Sequence, residues 1–289
     1  MKVLVTGAAG QVGRALLRLV PPGVDLRPLS RADLDIGNAR SVRAAVVGFE
    51  PAVIINAAAY TAVDRAESEP EVSRAINTEG PRHLAEAALA VPGCRLLHIS
   101  TDYSFDGRSR RPYKPDDATH PLGVYGLTKR DGERAVLEVL GDRAVVLRTA
   151  WVYSAEGRNF LLTMLRLMRE RGAVRVVADQ RGTPTTADSI AQALWSIAQR
   201  PQVRHILHWT DAGEASWYDF AVAIAEEGLA AGLLSTPPQV TPISTAEYPT
   251  AATRPANSVL DSRESIAQLS ITPAHWRDNL RATLARIRH

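Results

Sequence analysis

The sequence predicts an α/β fold, a doubly wound parallel sheet carrying a smaller C-terminal lobe. Three observations predict it. Over residues 1–150, short apolar runs alternate five times with stretches of helical spacing, the pattern of a parallel sheet covered on both faces. The first run leads at once into a glycine turn and then a helix, the opening of a Rossmann-type dinucleotide-binding unit. After Thr149 the rhythm breaks into amphipathic helices and short strands, as expected of a lobe laid over the carboxyl ends of the sheet.

Lys2 to Thr6 is apolar and β-branched and stops at Gly7, as a buried strand does. Arg14 to Val20 has helical spacing and is closed by Pro21-Pro22-Gly23, and Val24 to Leu29 reads as the second strand. Ser41 to Phe49 is helical, and Val53 to Asn56 is the third strand. Glu71 to Leu89 is a long helical stretch in which Pro81 predicts a break or a fresh start. Arg95 to Ser100 is the fourth strand, a helix runs from near Tyr125 to Val139, and Ala144 to Arg148 is the fifth strand. Beyond it, Phe160 to Arg171, Ser189 to Gln199 and Trp217 to Ala231 are helical, and Val174 to Val177 is a short strand. His205 to Trp209 is expected to return to the main sheet. The Pro- and Thr-rich run 235–253 reads as loop, and Ser262 to Leu269 and Trp276 to Ile287 as closing helices. The expected division is 1–150 with 186–211 for the dinucleotide-binding domain, and 151–185 with 212–289 for the substrate lobe.

Composition excludes several classes. Apolar residues make up 45% and charged residues 22%, and the net charge of +3 comes from bases and acids dispersed along the chain, which argues against nucleic acid as a partner. Cys94 is the only cysteine, so no intramolecular disulfide forms, in keeping with a cytoplasmic location. The opening apolar run is too short for a signal peptide, and no segment reaches membrane-spanning length. The seven histidines are scattered, and no metal cluster is expected.

The chemistry-bearing motifs fall at strand ends. In Gly7-Ala8-Ala9-Gly10-Gln11-Val12-Gly13, small residues admit a pyrophosphate to the backbone, the following helix N-terminus meets its charge, and Gly13 allows close helix packing. The second strand ends in Leu29-Ser30-Arg31 without an acidic residue at its tip. Arg31 is therefore expected to meet a 2′-phosphate, favouring NADPH with NADH as the alternative, and Asp35 and Ile36 suit the adenine edge and face. Ala57, Ala58, Ala59 and Tyr60 follow the third strand, where small residues let a cofactor lie against the backbone. Thr101, Asp102 and Tyr103 cluster at the end of the fourth. Tyr125 and Lys129, four apart on a helix, present a phenol and an ammonium to one volume, and the positive charge is expected to lower the phenol's pKa.

This constellation resembles the extended short-chain dehydrogenase/reductase family, through Gly7, Gly10 and Gly13, Asn56-Ala57-Ala58, Thr101, and Tyr125 with Lys129. Within the family it is most similar to the sugar-nucleotide ketoreductases that act on dTDP-4-dehydro-L-rhamnose. Asn56 to Asp64, Ile99 to Gly107, Arg148 to Tyr153, Asp179 to Thr185 and Arg254 to Asp261 carry that likeness. The resemblance implies reduction of a C4 ketone by hydride from NADPH. Tyr125 would be the proton donor, Lys129 would tune it and hold the nicotinamide ribose, and Thr101 would bind the carbonyl oxygen. It further implies that Asp102, Tyr103 and Trp151 shape the sugar pocket, and that Asn159 and Arg254 meet the nucleotide diphosphate. Some members hold magnesium at a dimer contact through a glutamate two residues beyond the last glycine. Ala15 stands there, which implies no metal and a monomer or weak homodimer. Two alternatives remain open: a ketoreductase of another deoxysugar nucleotide, and a non-catalytic nucleotide-binding regulatory subunit.

Overall fold

The computed structural model describes residues 1–287. The first half comprises β1 (Lys2–Thr6), α1 (Gln11–Arg18), β2 (Asp25–Leu29), α2 (Ala39–Phe49), β3 (Val53–Asn56), α3 (Val63–Ala66), α4 (Pro70–Arg74), α5 (Gly80–Leu89), β4 (Arg95–Thr101), α6 (Val124–Leu140) and β5 (Ala144–Thr149). The second half comprises β6 (Val152–Tyr153), α7 (Phe160–Arg171), β7 (Ala173–Val177), β8 (Arg181–Gly182), β9 (Thr185–Thr186), α8 (Ala187–Ala198), β10 (His205–His208), β11 (Ala215–Ser216), α9 (Trp217–Ala230), β12 (Gln239–Ile243), α10 (Arg263–Leu269) and α11 (Trp276–Leu284).

The main sheet has the order β10-β5-β4-β3-β1-β2, with every neighbouring pair parallel. The order reverses between β1 and β3, and the crevice at such a switch is where open α/β sheets bind ligands. Strand alternation assigns the cores. Val3, Val5, Ile55, Leu97, Val145 and Leu147 point to the face covered by α1 and α8. Leu4, Ile54, Leu96 and Val146 point to the face covered by α2, α5 and α6. The return of His205 to His208 is as expected: β10 pairs with β5, His205 opposite Val145. Arg95 anchors that return from the start of β4, donating to the carbonyls of Ile197 (3.1 Å) and Val203 (2.7 Å), where a cation suits the end of α8.

The lobe has its own core, in which Tyr153, Leu161, Leu165, Phe220, Ile224 and Leu280 pack together. Two local features differ from the sequence expectation, and a third follows it. The run 235–253 contains β12, which pairs in parallel with β7; Pro242 removes a donor, but a two-stranded ribbon tolerates that. The fresh start expected at Pro81 is present, since α5 opens at Gly80. The chain passes from α4 through a π-helical turn, Ala75–Glu79, into α5, with Pro81 in the first turn where its missing N–H has no partner to lose. Finally, α10 sits apart from the lobe core, with Ile266 and Leu269 packing into the sheet-face core. None of the described helices is long and apolar enough to cross a membrane.

Trp195 of α8 is buried and donates its indole N–H to the Leu16 carbonyl (3.1 Å), joining α8 to α1. Trp195→Ala is therefore expected to lower stability by about 3–5 kcal/mol, seen as a drop in thermal midpoint. Burial pushes the Cys94 thiol up to about 12, so the native protein should leave a disulfide reagent unreacted at pH 8 and release one thiol equivalent on denaturation.

Candidate active site

The site begins where β1 turns into α1. Gly7 has a φ of +67°, and a Cβ there would lie 2.5 Å from the Ala58 nitrogen; a Cβ on Gly13 would lie 2.2 Å from the Gly7 carbonyl oxygen. The turn is thus pressed against both the β3 tip and α1. Gly10 caps α1 without a side-chain bond and there is no acidic residue in the first turn, so the N–H groups of Gln11, Val12 and Gly13 are left to an anion. At the β3 tip, buried Asn56 accepts from the Thr6 hydroxyl (2.6 Å) and the Ala58 N–H (3.1 Å), while its amide nitrogen meets His98 Nδ1 (3.0 Å). That network sets the course of Ala57, Ala58 and Ala59.

Two adjoining clefts share this floor. The smaller, about 350 Å³, runs from Gly7 and Gly10 past Arg31, Asp35 and Ile36 to Tyr60. Arg31 is exposed on its wall. Ser30 turns its hydroxyl to Asp33 (2.6 Å), Asp35 accepts from the Gly37 N–H (2.9 Å), and the Tyr60 phenol donates to Glu69. The larger, about 530 Å³, runs from Gly10, Gln11 and Val12 along Ala57 to Ala59, and ends among Thr101, Asp102, Tyr103, Tyr125, Lys129 and Trp151.

The start of α6 is held by Glu67, which accepts from the Val124 N–H (2.8 Å). A Cβ on Gly126 would lie 2.2 Å from the Tyr103 carbonyl oxygen, so this end of α6 rests directly on the segment after β4. Tyr125 meets Tyr103 edge to face at 5.8 Å. Thr101 donates to Asp102 Oδ1 (3.1 Å), and the other Asp102 oxygen is buried without a partner. Lys129 is buried and donates to the Ile99 carbonyl at 2.6 Å.

The expected lowering of the Tyr125 pKa is corrected by the structure. Burial pushes the phenol up to about 12, against an opposing hydrogen-bonding pull from Thr101. The effect of shared burial falls on the lysine as well: loss of water takes Lys129 down to about 8, with Glu133 pulling the other way. Burial likewise raises Asp102 to about 7.

The lobe supplies the far wall. Trp151 has a φ of +47°, and its ring lies flat on Trp217 at 3.5 Å and 5°. A Cβ on Gly182 would lie 2.4 Å from the Trp151 indole, so the glycine of Asp179 to Thr185 makes room for that ring. Two residues expected at the diphosphate are engaged elsewhere. Asn159 caps α7 through Leu162 N–H (3.0 Å) and donates to Gln11 (2.8 Å), while its neighbours Gly157 and Arg158 line the cleft in its place. Arg254 forms a two-pronged pair with Asp64 (3.1 and 2.8 Å), beside a small cavity that Ala252, Thr253 and Pro255 share with Tyr125. Trp217 and Arg158 went unnoticed in the sequence. The capping box Ser216 to Asp219 marks Trp217 as the first residue of a helix, but which element it faces is not a local property.

Known proteins share this architecture. The chain matches the family model described as the RmlD substrate binding domain over residues 1–289. It is 43% identical to a dTDP-4-dehydrorhamnose reductase of Aggregatibacter actinomycetemcomitans, with 97% of each chain covered. It is 44% identical to a probable dTDP-4,6-dihydroxy-2-methyloxan-3-one 4-ketoreductase of Streptomyces antibioticus, covering 90% of this chain and 86% of that one. The crystal structure of dTDP-4-dehydrorhamnose reductase from Bacillus anthracis in complex with NADP superposes with a TM-score of 0.91 at 34% identity, with 98% of both chains covered. With the glycine turn, the Thr101, Tyr125 and Lys129 wall and full-length matches all agreeing, the chain belongs to the RmlD substrate binding domain family of extended short-chain dehydrogenase/reductases.

Proposed function

We propose that this chain is an oxidoreductase that reduces the C4 ketone of dTDP-4-dehydro-L-rhamnose to give dTDP-L-rhamnose, with NADPH as hydride donor. The observation that carries the reading is the convergence of Thr101, Tyr125 and Lys129 on one wall of a cleft that begins at the glycine turn. The relative from Aggregatibacter actinomycetemcomitans, named for that reaction, matches the chain nearly end to end.

The residues present fit a dinucleotide. The turn at Gly7 and Gly13 is a cradle that a methyl group would fill, and the N–H groups of Gln11, Val12 and Gly13 suit its pyrophosphate. Ser30, Arg31, Asp35 and Ile36 suit the adenosine end, with Arg31 favouring a 2′-phosphate. Ala57, Ala58, Ala59 and Tyr60 form the floor, and Lys129 suits the nicotinamide ribose. When bound, the nicotinamide supplies the hydride.

The protein's own groups then serve the developing alkoxide. A phenol raised to about 12 carries its proton at neutral pH, so Tyr125 stands ready as donor to the C4 oxygen, with Thr101 hydrogen-bonding the same atom. Lys129 holds positive charge beside them below about pH 8 and loses it as pH rises through that value. Asp102, Tyr103 and Trp151, joined by Trp217, suit the sugar. Arg254 suits the diphosphate, which on arrival would displace Asp64, and Asn159 supports the turn through Gln11 while Arg158 faces the cleft. We assign the substrate lobe to 151–185 and 212–289, with α10 lending its apolar side to the sheet, and the molecule to a monomer or weak homodimer. The relative from Streptomyces antibioticus favours a second reading, in which the substrate is another dTDP-linked deoxysugar ketone.

Purified protein should oxidise NADPH on addition of dTDP-4-dehydro-L-rhamnose; no loss of cofactor absorbance would reject the reading, and faster turnover of a 2-deoxy analogue would favour the second. Tyr125→Phe should bind NADPH as the parent does yet lose about 100-fold or more in kcat. Turnover should fall as pH rises through about 8, because Lys129 then sheds its charge. Arg31→Ala should weaken NADPH by about tenfold, with NADH little changed, as isothermal titration would read.

A further inference from the structure

Beneath the cleft lies a charge pair that the mechanism above does not use. Glu133 stands one helical turn beyond Lys129 and two beyond Tyr125, on the same face of α6. Its side chain is only 2% exposed, as buried as the Arg148 side chain at 3% with which it pairs. Arg148 grips it with two prongs, Nε to Oε1 at 2.9 Å and Nη2 to Oε2 at 2.7 Å. The hydroxyl of Ser100 also donates to Oε1, and that of Ser104 does so at 3.2 Å. Arg148 is itself fully engaged: Nη1 donates to the Pro115 carbonyl (3.2 Å) and approaches His208 Nε2 (3.4 Å), and the guanidinium lies over the Phe105 ring. His208 directs Nδ1 to the Tyr113 carbonyl (3.0 Å), and burial keeps the ring neutral, down to about 3.

Each partner of Glu133 adjoins a residue of the cleft. Ser100 precedes Thr101 and Arg148 precedes Thr149, while Lys129 and Tyr125 share its helix. One carboxylate therefore binds together α6, the β4 tip and the β5 tip. We infer that Glu133, held by Arg148, is a positioning residue for ketone reduction: it holds the Tyr125 and Lys129 face against Thr101 and sets a carboxylate one helical turn from Lys129. Burying an ion pair is expensive and an apolar pair often serves stability as well, so the pair's place beneath the reacting groups points to a role in the reaction.

Among the groups around Lys129, Glu133 is the one whose negative charge favours the ammonium. Tyr125 is neutral, His98 on β4 is buried and neutral with its Nε2 unpartnered, and burial pushes the Asp102 carboxyl up to about 7, toward its uncharged form. Arg148 on β5 is positive. The π-helical turn presents Asn77 and Thr78 to α6, its Glu79 pairing with Arg74 and Arg82 at the surface, and α5 contributes apolar Leu84, Ala85 and Ala88. Removing the Glu133 charge would leave Arg148 unbalanced and push Lys129 toward its neutral form.

The inference rests on the reductase reading, and Glu133→Gln tests it, since the amide keeps the shape and can still accept from Ser100 and Arg148. The expected result is NADPH affinity and sugar-nucleotide KM within about threefold of the parent, kcat lower by about tenfold, and an alkaline limb of kcat displaced downward by about one pH unit. Glu133→Asp, which keeps the charge, should leave that limb in place, and Glu133→Gln with Arg148→Gln should bring it partway back. A limb unmoved in folded Glu133→Gln overturns the inference. Should that variant not fold, an unmoved limb in the double variant, together with a displaced one in Glu133→Asp, overturns it equally. The Lys129 titration followed by ¹⁵N NMR needs no substrate. A parent protein without turnover therefore rejects the reductase reading, while the shift between parent and Glu133→Gln still decides this one.

Discussion

Around the cleft, backbone meets backbone with no room for a methyl group. The contacts are Gly7 on Ala57 and Ala58, Gly13 on Gly7, Gly126 on Tyr103, and Gly132 on Asn77, where a Cβ would lie 2.1 Å from the carbonyl oxygen. The first three bring a helix or turn within van der Waals reach of a strand tip or of the segment that follows it, and the fourth seats α6 on the π-helical turn. Together they set the depth at which the N-terminus of α1 and the polar face of α6 stand over the sheet. Strand order adds the rest, because the reversal between β1 and β3 opens a crevice at their carboxyl ends. A protein interior is packed too tightly to absorb an added methyl at such points without moving the groups they position.

That close packing also governs the electrostatics. Tyr125, Lys129 and Asp102 are moved chiefly by loss of water, the phenol and the carboxyl upward and the ammonium downward, each toward its uncharged form. Other buried polar groups are linked in chains, from Thr6 through Asn56 to His98, whose Nε2 stays unpartnered, and from Ser100 through Glu133 and Arg148 to His208. Such chains are rigid when complete. They run across the strand tips, where small displacements would misalign a hydride acceptor and its proton donor.

The lobe is tied to the sheet domain at the glycine turn. Glu156 pairs with Arg14 at 2.9 Å, and Gln11 accepts from Ser154 (3.0 Å) and Asn159 (2.8 Å). The exposed ion pair adds little on its own, but the Gln11 contacts bring the loop 154–159 beside the N-terminus of α1. The same loop places Arg158 in the cleft that the alanines after β3 also line. Trp151, in a left-handed backbone conformation stacked on Trp217, is held by a cavity shaped for it rather than by its own preference.

Much of this was legible in the sequence because it is local. Apolar runs of four to seven residues, the glycine spacing and the i, i+4 relation of Tyr125 and Lys129 all follow from chain geometry, and β1, β3, β4, β5 and α6 stand close to where periodicity puts them. β12 did not announce itself because Pro and Thr in Gln239 to Ile243 resemble loop, and its partner β7 lies more than sixty residues away. Trp217, Arg158 and the engagement of Asn159 and Arg254 with Gln11 and Asp64 were hidden for the same reason. The sequence by itself determined the fold class and the chemical groups available for ketone reduction, since both depend on residue type at short spacing. Only the tertiary structure decided the proton affinity of Tyr125 and Lys129 and the wall they face, because desolvation and juxtaposition are properties of packing between distant segments.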